Sequence, residues 1–529
     1  MVKDGKVFVA RTDSGDEIYL LPKMANRHGL IAGATGSGKT VTLKVLAESF
    51  SDMGVPVFLA DVKGDLAGMI QEGSGMEERI ERLSLRDAGF EYNKYPVTFW
   101  DLFGEKGIQL RTTVTEMGPI LLSRILGLNE LQSDILTIAF KIADDNGLPL
   151  YDTKDLKALL NELSENNKDY AADYGKMSPV SISAILRSVV ALETQGAETF
   201  FGEPALNLTD WLVTDTRGKG MINILDSESL INNGVLYSTF LLWMLSELFE
   251  TLPEVGDMEK PKMVFFFDEA HLLFKDTSKA LLNKIEQVVK LIRSKGVGVY
   301  FVTQNPRDIP DGVLAQLGNK IQHALHAYTP ADQKAVKAAA ESFRENPEFK
   351  TFDAIMELGT GEAVVSLLDE NGTPEIVKRA FVLPPMSKIG GIDDNLRDST
   401  IKGSLLYSRY ANAIDSDSAY EILKRKGAML AEEAEREKAR AEEEKAKALE
   451  EKARQKELTA AEKIKERERQ KAENAKKRAA KSVATTLSGT VGREMGKAAG
   501  QGFGKFGKTL GGNLGASLGR GLIGTLFKL

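Results

Sequence analysis

The 529 residues contain no cysteine. That excludes a disulfide scaffold, a Cys-ligated zinc site and thiol catalysis, and it fits a reducing compartment. Histidine is nearly as scarce: His28, His271, His323 and His326 are the only four, and no two show metal-ligand spacing such as HExxH. No run approaches about 18 consecutive apolar residues, so no conventional membrane span is expected. The opening stretch MVKDGKVFVARTDSGDEIYLL has no uninterrupted apolar core of the kind a secretory signal carries. A cytoplasmic protein is the expectation.

Hydrophobic residues make up 42% and charged residues 27%, which is globular usage and excludes wholesale disorder. At roughly 100–200 residues per domain, the length allows about three to four units. The net charge of −7 is unevenly spread. From Glu421 onward there are 26 Lys/Arg against 16 Glu, a net of +10, which leaves −17 for the preceding 420 residues. Such asymmetry suggests an appendage with its own partner, and the acidic body argues against nucleic acid coating its whole outer surface. A basic channel inside an oligomer stays compatible with it.

Apolar runs at Leu30–Ala32, Pro56–Asp61, Val97–Asp101, 221–226, 263–269, 297–303, 321–328, 362–368 and 376–382 alternate with helical stretches. Continuous Val/Ile/Phe runs in that arrangement predict an α/β fold with a mostly parallel sheet covered on both faces. The stretch 112–210 has helical apolar spacing instead, as in MGPILLSRILGL and VSISAILRSVVALE, and is expected to be a helical insertion. The core is thus expected in two parts, 1–111 and 211–385, followed by a helical exit at 386–426 that begins after Pro384-Pro385. Residues 427–482 are almost wholly Ala, Glu, Lys, Arg and Gln without sustained apolar a/d positions, which predicts a solvated helix rather than a coiled coil. In the tail, 483–529, glycines recur at 492, 496, 500 and 504 and at 507, 511, 515 and 519. That stripe suits close packing against a partner, and the apolar end Leu522–Phe527 beside Arg520 and Lys528 suits attachment to a membrane surface.

Gly33-Ala34-Thr35-Gly36-Ser37-Gly38-Lys39-Thr40 fits GxxxxGK[ST] in full, after an apolar strand and before a helix. Backbone N–H groups of such a loop curl around phosphate oxygens, helped by the helix dipole; Lys39 would contact the phosphates and Thr40 would hold Mg²⁺. Phe265-Phe266-Phe267-Asp268-Glu269 is a buried strand that delivers two carboxylates to its C-terminal edge, where ligands sit in open α/β sheets. Asp268 is expected to bind Mg²⁺ and Glu269 to polarise the attacking water. The string Asp268-Glu269-Ala270-His271 invites comparison with DEAH-box helicases, but no second lobe follows Val382, and His271 is expected to cap or pack a helix. Gln304 ends the next strand, where a polar residue can sense the γ-phosphate. Arg293, near the end of the preceding helix, could reach a neighbouring subunit's nucleotide in a ring; complementing the helix dipole is the alternative for it. Asp61, in the turn DVKGD, either points to the nucleotide edge or caps its own loop.

The motifs resemble the HerA–FtsK clan of P-loop motor ATPases, and most closely the bacterial HerA-like family of the YjgR type. The matching stretches include RHGLIAGATGSGKTVTLKVLAESF, GVPVFLADVKGDLAG, FFGEPAL, KPKMVFFFDEAHLLF, LLNKIEQVVKLIRSKGVGVYFVTQNP and QLGNKIQHAL, within about residues 18–385. The resemblance implies a RecA-like core, ATP and Mg²⁺ as ligands, homo-hexameric rings with shared ATP sites, and double-stranded DNA in the channel. It carries Lys39, Thr40, Asp268, Glu269 and Gln304 over as the ATPase set, and Arg293 as a finger acting in trans. The chain departs from the family in having His326 where arginine is usual, and in having little sequence ahead of the P-loop for the β-barrel of HerA proper. A DNA motor is the function the resemblance implies. The alternatives are an ATPase that works on protein partners or at the membrane through its tail, and a ring scaffold with slow turnover.

Overall fold

The structure is a computed structural model that describes residues 1–479 apart from 257 and 276–278. The Gly-rich tail and the end of the charged stretch lie outside the described residues. The strands are β1 (Val2–Lys3), β2 (Lys6–Arg11), β3 (Glu17–Leu20), β4 (Gly29–Ala32), β5 (Val57–Asp61), β6 (Val97–Asp101), β7 (Ile108–Gln109), β8 (Ile222–Asp226), β9 (Met263–Phe267), β10 (Val297–Thr303), β11 (Asn319–Gln322), β12 (Glu362–Ser366) and β13 (Lys378–Val382).

All of them join one sheet in the order β1-β2-β13-β12-β11-β4-β10-β9-β5-β8-β6-β7, with β3 paired to β2. From β11 to β7 every pairing is parallel. Beyond β11 the sheet continues antiparallel through β12, β13 and β2. Every residue of β5, β6, β8, β9 and β10 is buried, as a sheet covered on both faces requires. The mostly parallel α/β sheet is therefore present, with an antiparallel wing that draws the N-terminal hairpin into the same sheet.

One run ends earlier than its apolar character suggests. The strand expected over 321–328 stops at Gln322. Beyond it, His323 N–H bonds back to the Ala32 carbonyl and the Ala324 carbonyl accepts from Ala34 N–H, so the chain turns to follow the P-loop instead of the sheet. Between β11 and β12 it builds two helices, Pro330–Glu341 and Thr351–Glu357, over a satellite core of Val336, Ile355, Val364 and Val377.

Between β7 and β8 lie the helices Val114–Ile125, Glu130–Asp145, Thr153–Glu165, Asn167–Tyr174 and Pro179–Glu193. Capping boxes open three of them, Thr113 with Glu116, Asn129 with Gln132 and Asp152 with Asp155, each satisfying otherwise orphaned N–H groups. The chain divides into two compact units at Leu430. The long helix runs over Ala419–Ala479 and so starts before the charged composition does. Asp155 accepts from Tyr420 N–H at 2.9 Å and from the Ser418 hydroxyl at 2.5 Å, which fixes that start against the insertion. Among the described residues no helix is long and apolar enough to cross a membrane.

Candidate active site

β4, β9 and β10 are adjacent and parallel, so their C-terminal ends open onto one edge of the sheet. β4 runs into the P-loop and the helix Lys39–Asp52, β9 into Asp268 and Glu269, and β10 into Gln304. Gly33 and Gly38 have φ of +154° and +120°, conformations that an L side chain rarely adopts. A Cβ on Gly33 would also stand 2.6 Å from the His323 Cβ. The loop needs glycine there for both reasons.

Lys39 Nζ donates to the carbonyls of Gly33 (2.7 Å) and Ala34 (3.0 Å), so its ammonium lies within the curl of the loop. Burial and the nearby Lys63 lower its pKa, against the pull of Asp268 and Glu269. Burial first, and the Glu269 charge second, push Asp268 up to about 7. Tyr237 Oη donates to the Asp268 carbonyl at 2.9 Å, pinning the turn from below. Glu269 is buried at 6% exposure and holds φ +48°, strained for a residue with a side chain.

Gln304 joins the two halves of the cluster. Its Nε2 donates to both Glu269 carboxylate oxygens at 3.2 and 3.3 Å, and its Oε1 accepts from Thr35 Oγ1 at 3.5 Å. The Asp65 carboxyl lies near the Thr40 hydroxyl. Hydroxyl and carboxylate oxygens at Thr40, Asp65 and Asp268 are the donor set that a hard divalent cation prefers. The N–H groups of the P-loop and the Lys39 ammonium suit phosphate oxygens.

The chain matches the family described as "Helicase HerA-like C-terminal" over residues 6–508. It belongs to the HerA-like helicase family. The DNA double-strand break repair helicase HerA of Sulfurisphaera tokodaii is 23% identical over 431 residues, 78% of this chain and 76% of that protein. HerA of Sulfolobus acidocaldarius is 22% identical over 402 residues, covering 73% and 70% of the two chains. Among solved structures, the bacterial conjugative coupling protein TrwBdeltaN70 is 13% identical with a TM-score of 0.49, over 73% of this chain and 90% of its own.

This HerA-like protein is an ATPase, and the donor set on its sheet edge suits a nucleotide with a divalent cation. Arg293 is not brought to the cluster. It lies in the short 3-10 turn Arg293–Lys295, ahead of the N-terminal end of β10, whereas Gln304 follows the C-terminal end. Seven strand residues at about 3.3 Å each separate the two by roughly 20 Å. Asp61 turns out to cap its own loop, accepting from the N–H groups of Lys63, Gly64 and Leu66. His271 is the first residue of the short helix His271–Phe274, whose start has no side-chain cap, and its Nδ1 lies 3.4 Å from the Glu269 carboxylate. His326 is exposed, its ring centroid 5.8 Å from that of Tyr328.

Two further residues, His323 and Asp65, come to the site. His323 is buried beneath the P-loop, its Nδ1 donating to the Glu362 carbonyl (2.8 Å) and its Nε2 accepting from Thr42 Oγ1 (2.7 Å). Desolvation lowers its pKa to about 4, so the ring is neutral in the folded protein. Asp65 lies near Thr40 on the turn after β5. Its signal was the acid in DVKGD, four residues past a strand end; His323 left no signal, because its partners are distant in sequence.

Proposed function

We propose that this HerA-like ATPase assembles as a homohexameric ring that hydrolyses ATP at shared sites and moves along double-stranded DNA. The observation that carries the hydrolytic part is Gln304, which ties Glu269 to the P-loop from a third strand. In this reading the P-loop backbone, from Gly33 through Thr40, and the Lys39 ammonium bind the phosphates. Thr40 and Asp268 hold Mg²⁺, which when bound offsets charge on the phosphate oxygens. Glu269 accepts the proton of the attacking water. Gln304 keeps that carboxylate aimed and reports to Thr35 whether a γ-phosphate is present. Phosphoryl transfer depends mainly on such positioning and on fixed charges.

The position of Arg293 supports a shared site. Standing roughly 20 Å from its own Gln304 by strand length, it serves as a finger only toward a neighbour's nucleotide. Duplex DNA as the polymer is supported by the HerA relatives, which carry the name DNA double-strand break repair helicase. The test is ATP turnover with and without duplex DNA, alongside imaging with a slowly hydrolysed ATP analogue. Six-fold particles and turnover that rises with duplex DNA are expected. Turnover indifferent to DNA, from particles without a ring, would overturn the motor reading.

A further inference from the structure

The turn after β5 brings a second lysine to the phosphate edge. In the parallel register of β5 and β9, Leu59 stands opposite Phe266, so Asp61 is level with Asp268. The Asp61 carboxylate is consumed by the turn itself, accepting from backbone N–H of Lys63 at 3.2 Å, Gly64 at 2.8 Å and Leu66 at 2.9 Å. Gly64 holds φ +71°, and a Cβ there would meet the Glu228 carboxylate at 1.8 Å. At the far end of the turn, Asp65 lies near Thr40 of the P-loop helix. Lys63 is thus carried on a turn held by Asp61, between a residue level with Asp268 and a residue near Thr40.

Its side chain is exposed, and its ammonium interacts electrostatically with Lys39, Asp65 and Asp268. Among the described residues no hydrogen bond or ion pair of the Lys63 side chain is found. Two ammonium groups brought to one edge repel each other, a cost that a polyanion between them repays. The P-loop wraps the inner phosphates from the β4 side, whereas the β5 side faces the acids where water would attack the terminal one.

We propose that Lys63 is a second phosphate-binding residue, whose ammonium contacts the γ-phosphoryl oxygens of ATP from the β5 side while Lys39 contacts them from the P-loop. The inference rests on reading this cluster as the ATP site. It makes Lys63 a discriminator between ATP and ADP, because its contact is lost with the γ-phosphate.

The experiment measures binding of ATPγS and of ADP, each with Mg²⁺, to the full chain and to its K63M and K63R variants by calorimetry. K63M is expected to weaken ATPγS binding about tenfold, the worth of one charge-assisted hydrogen bond. ADP binding is expected to stay within about twofold, and K63R to recover part of the loss, since it restores the charge but not the ammonium's shape. Unchanged ATPγS affinity in K63M would leave Lys63 as a surface charge and overturn the proposal. A parallel loss of both nucleotides would overturn it too, because the contact would then not be to the γ-phosphate. Binding is read independently of turnover, so a chain that binds ATPγS through Lys63 without hydrolysing ATP would sink the enzymatic reading alone.

Discussion

Glu269 shows most clearly how the site departs from what stability alone would select. A buried carboxylate beside Asp268, at φ +48°, combines like-charge repulsion with backbone strain of about 1–3 kcal/mol. E269Q removes the repulsion and keeps the side-chain shape. The variant is therefore expected to unfold at a higher urea concentration than the parent, by about 1 kcal/mol in stability; a lower midpoint would contradict this. His323 makes the complementary case. It is neutral in the fold, with a pKa of about 4 against about 6.5 when unfolded. Below pH 6.5 the unfolded chain binds more protons than the folded one, so the contribution of His323 is complete above that pH and is lost as pH falls toward 4. The stability gap between the parent and H323N should close over that window, by up to about 1.4 kcal/mol per pH unit. A gap of equal size at pH 7 and pH 5 would refute it.

At the scale of elements, the parallel strands deliver the chemistry and the helix after the P-loop secures it. That helix, Lys39–Asp52, buries a lysine and a glutamate completely. Lys44 Nζ donates to the Lys388 carbonyl at 2.5 Å. Glu48 accepts from the N–H groups of Met386 (2.7 Å) and Ser387 (3.1 Å) and from the Ser387 hydroxyl. E48A strands these donors and removes one of the carboxylates that act on Lys44. It should cost about 1–3 kcal/mol, as leaving buried donors unsatisfied does, read from the urea midpoint. An E48A protein as stable as the parent would show that the exit segment is held by other contacts.

The same elements mark how far the sequence could be read. Strands with continuous apolar runs, such as VFLAD and MVFFFDE, were legible because burial on both faces leaves little choice of residue. The GATGSGKT loop was legible because close backbone approach to phosphate leaves little choice either. The antiparallel wing was not, since pairing β2 with β13 joins residues some 370 apart, and no local signal encodes it. His323 and the Lys44–Glu48 clamp were hidden for the same reason. A lysine and a glutamate at i and i+4 read as a solvated helical pair, and only the segment 386–388 lying over them makes them interior.

At the scale of the whole molecule, the proposed ring has Arg293 of one chain serve the Lys39 site of its neighbour, since the length of β10 separates Arg293 from Gln304 within one chain. Mixing R293A with K39A protein tests this. Each alone should be nearly inactive, with turnover reduced about 10³-fold or more for the missing finger. Mixed subunits should regain a fraction of the parent turnover, because some interfaces pair an intact Lys39 with an intact Arg293. No recovery in mixed assemblies would remove Arg293 from the site. The described part of the second unit, 431–479, is a helix with Leu449, Leu458 and Ile464 exposed, apolar positions at no heptad spacing.

The most direct test of the central claim, that Lys39, Glu269 and Gln304 converge on one triphosphate, is phosphate release from Mg·ATP by the parent and by E269Q, with ATP binding measured on both. The parent should turn over, and E269Q should bind ATP at least as well while releasing phosphate about 10²-fold or more slowly, as loss of a general base predicts. An E269Q protein that hydrolyses ATP at the parent's rate would contradict the account.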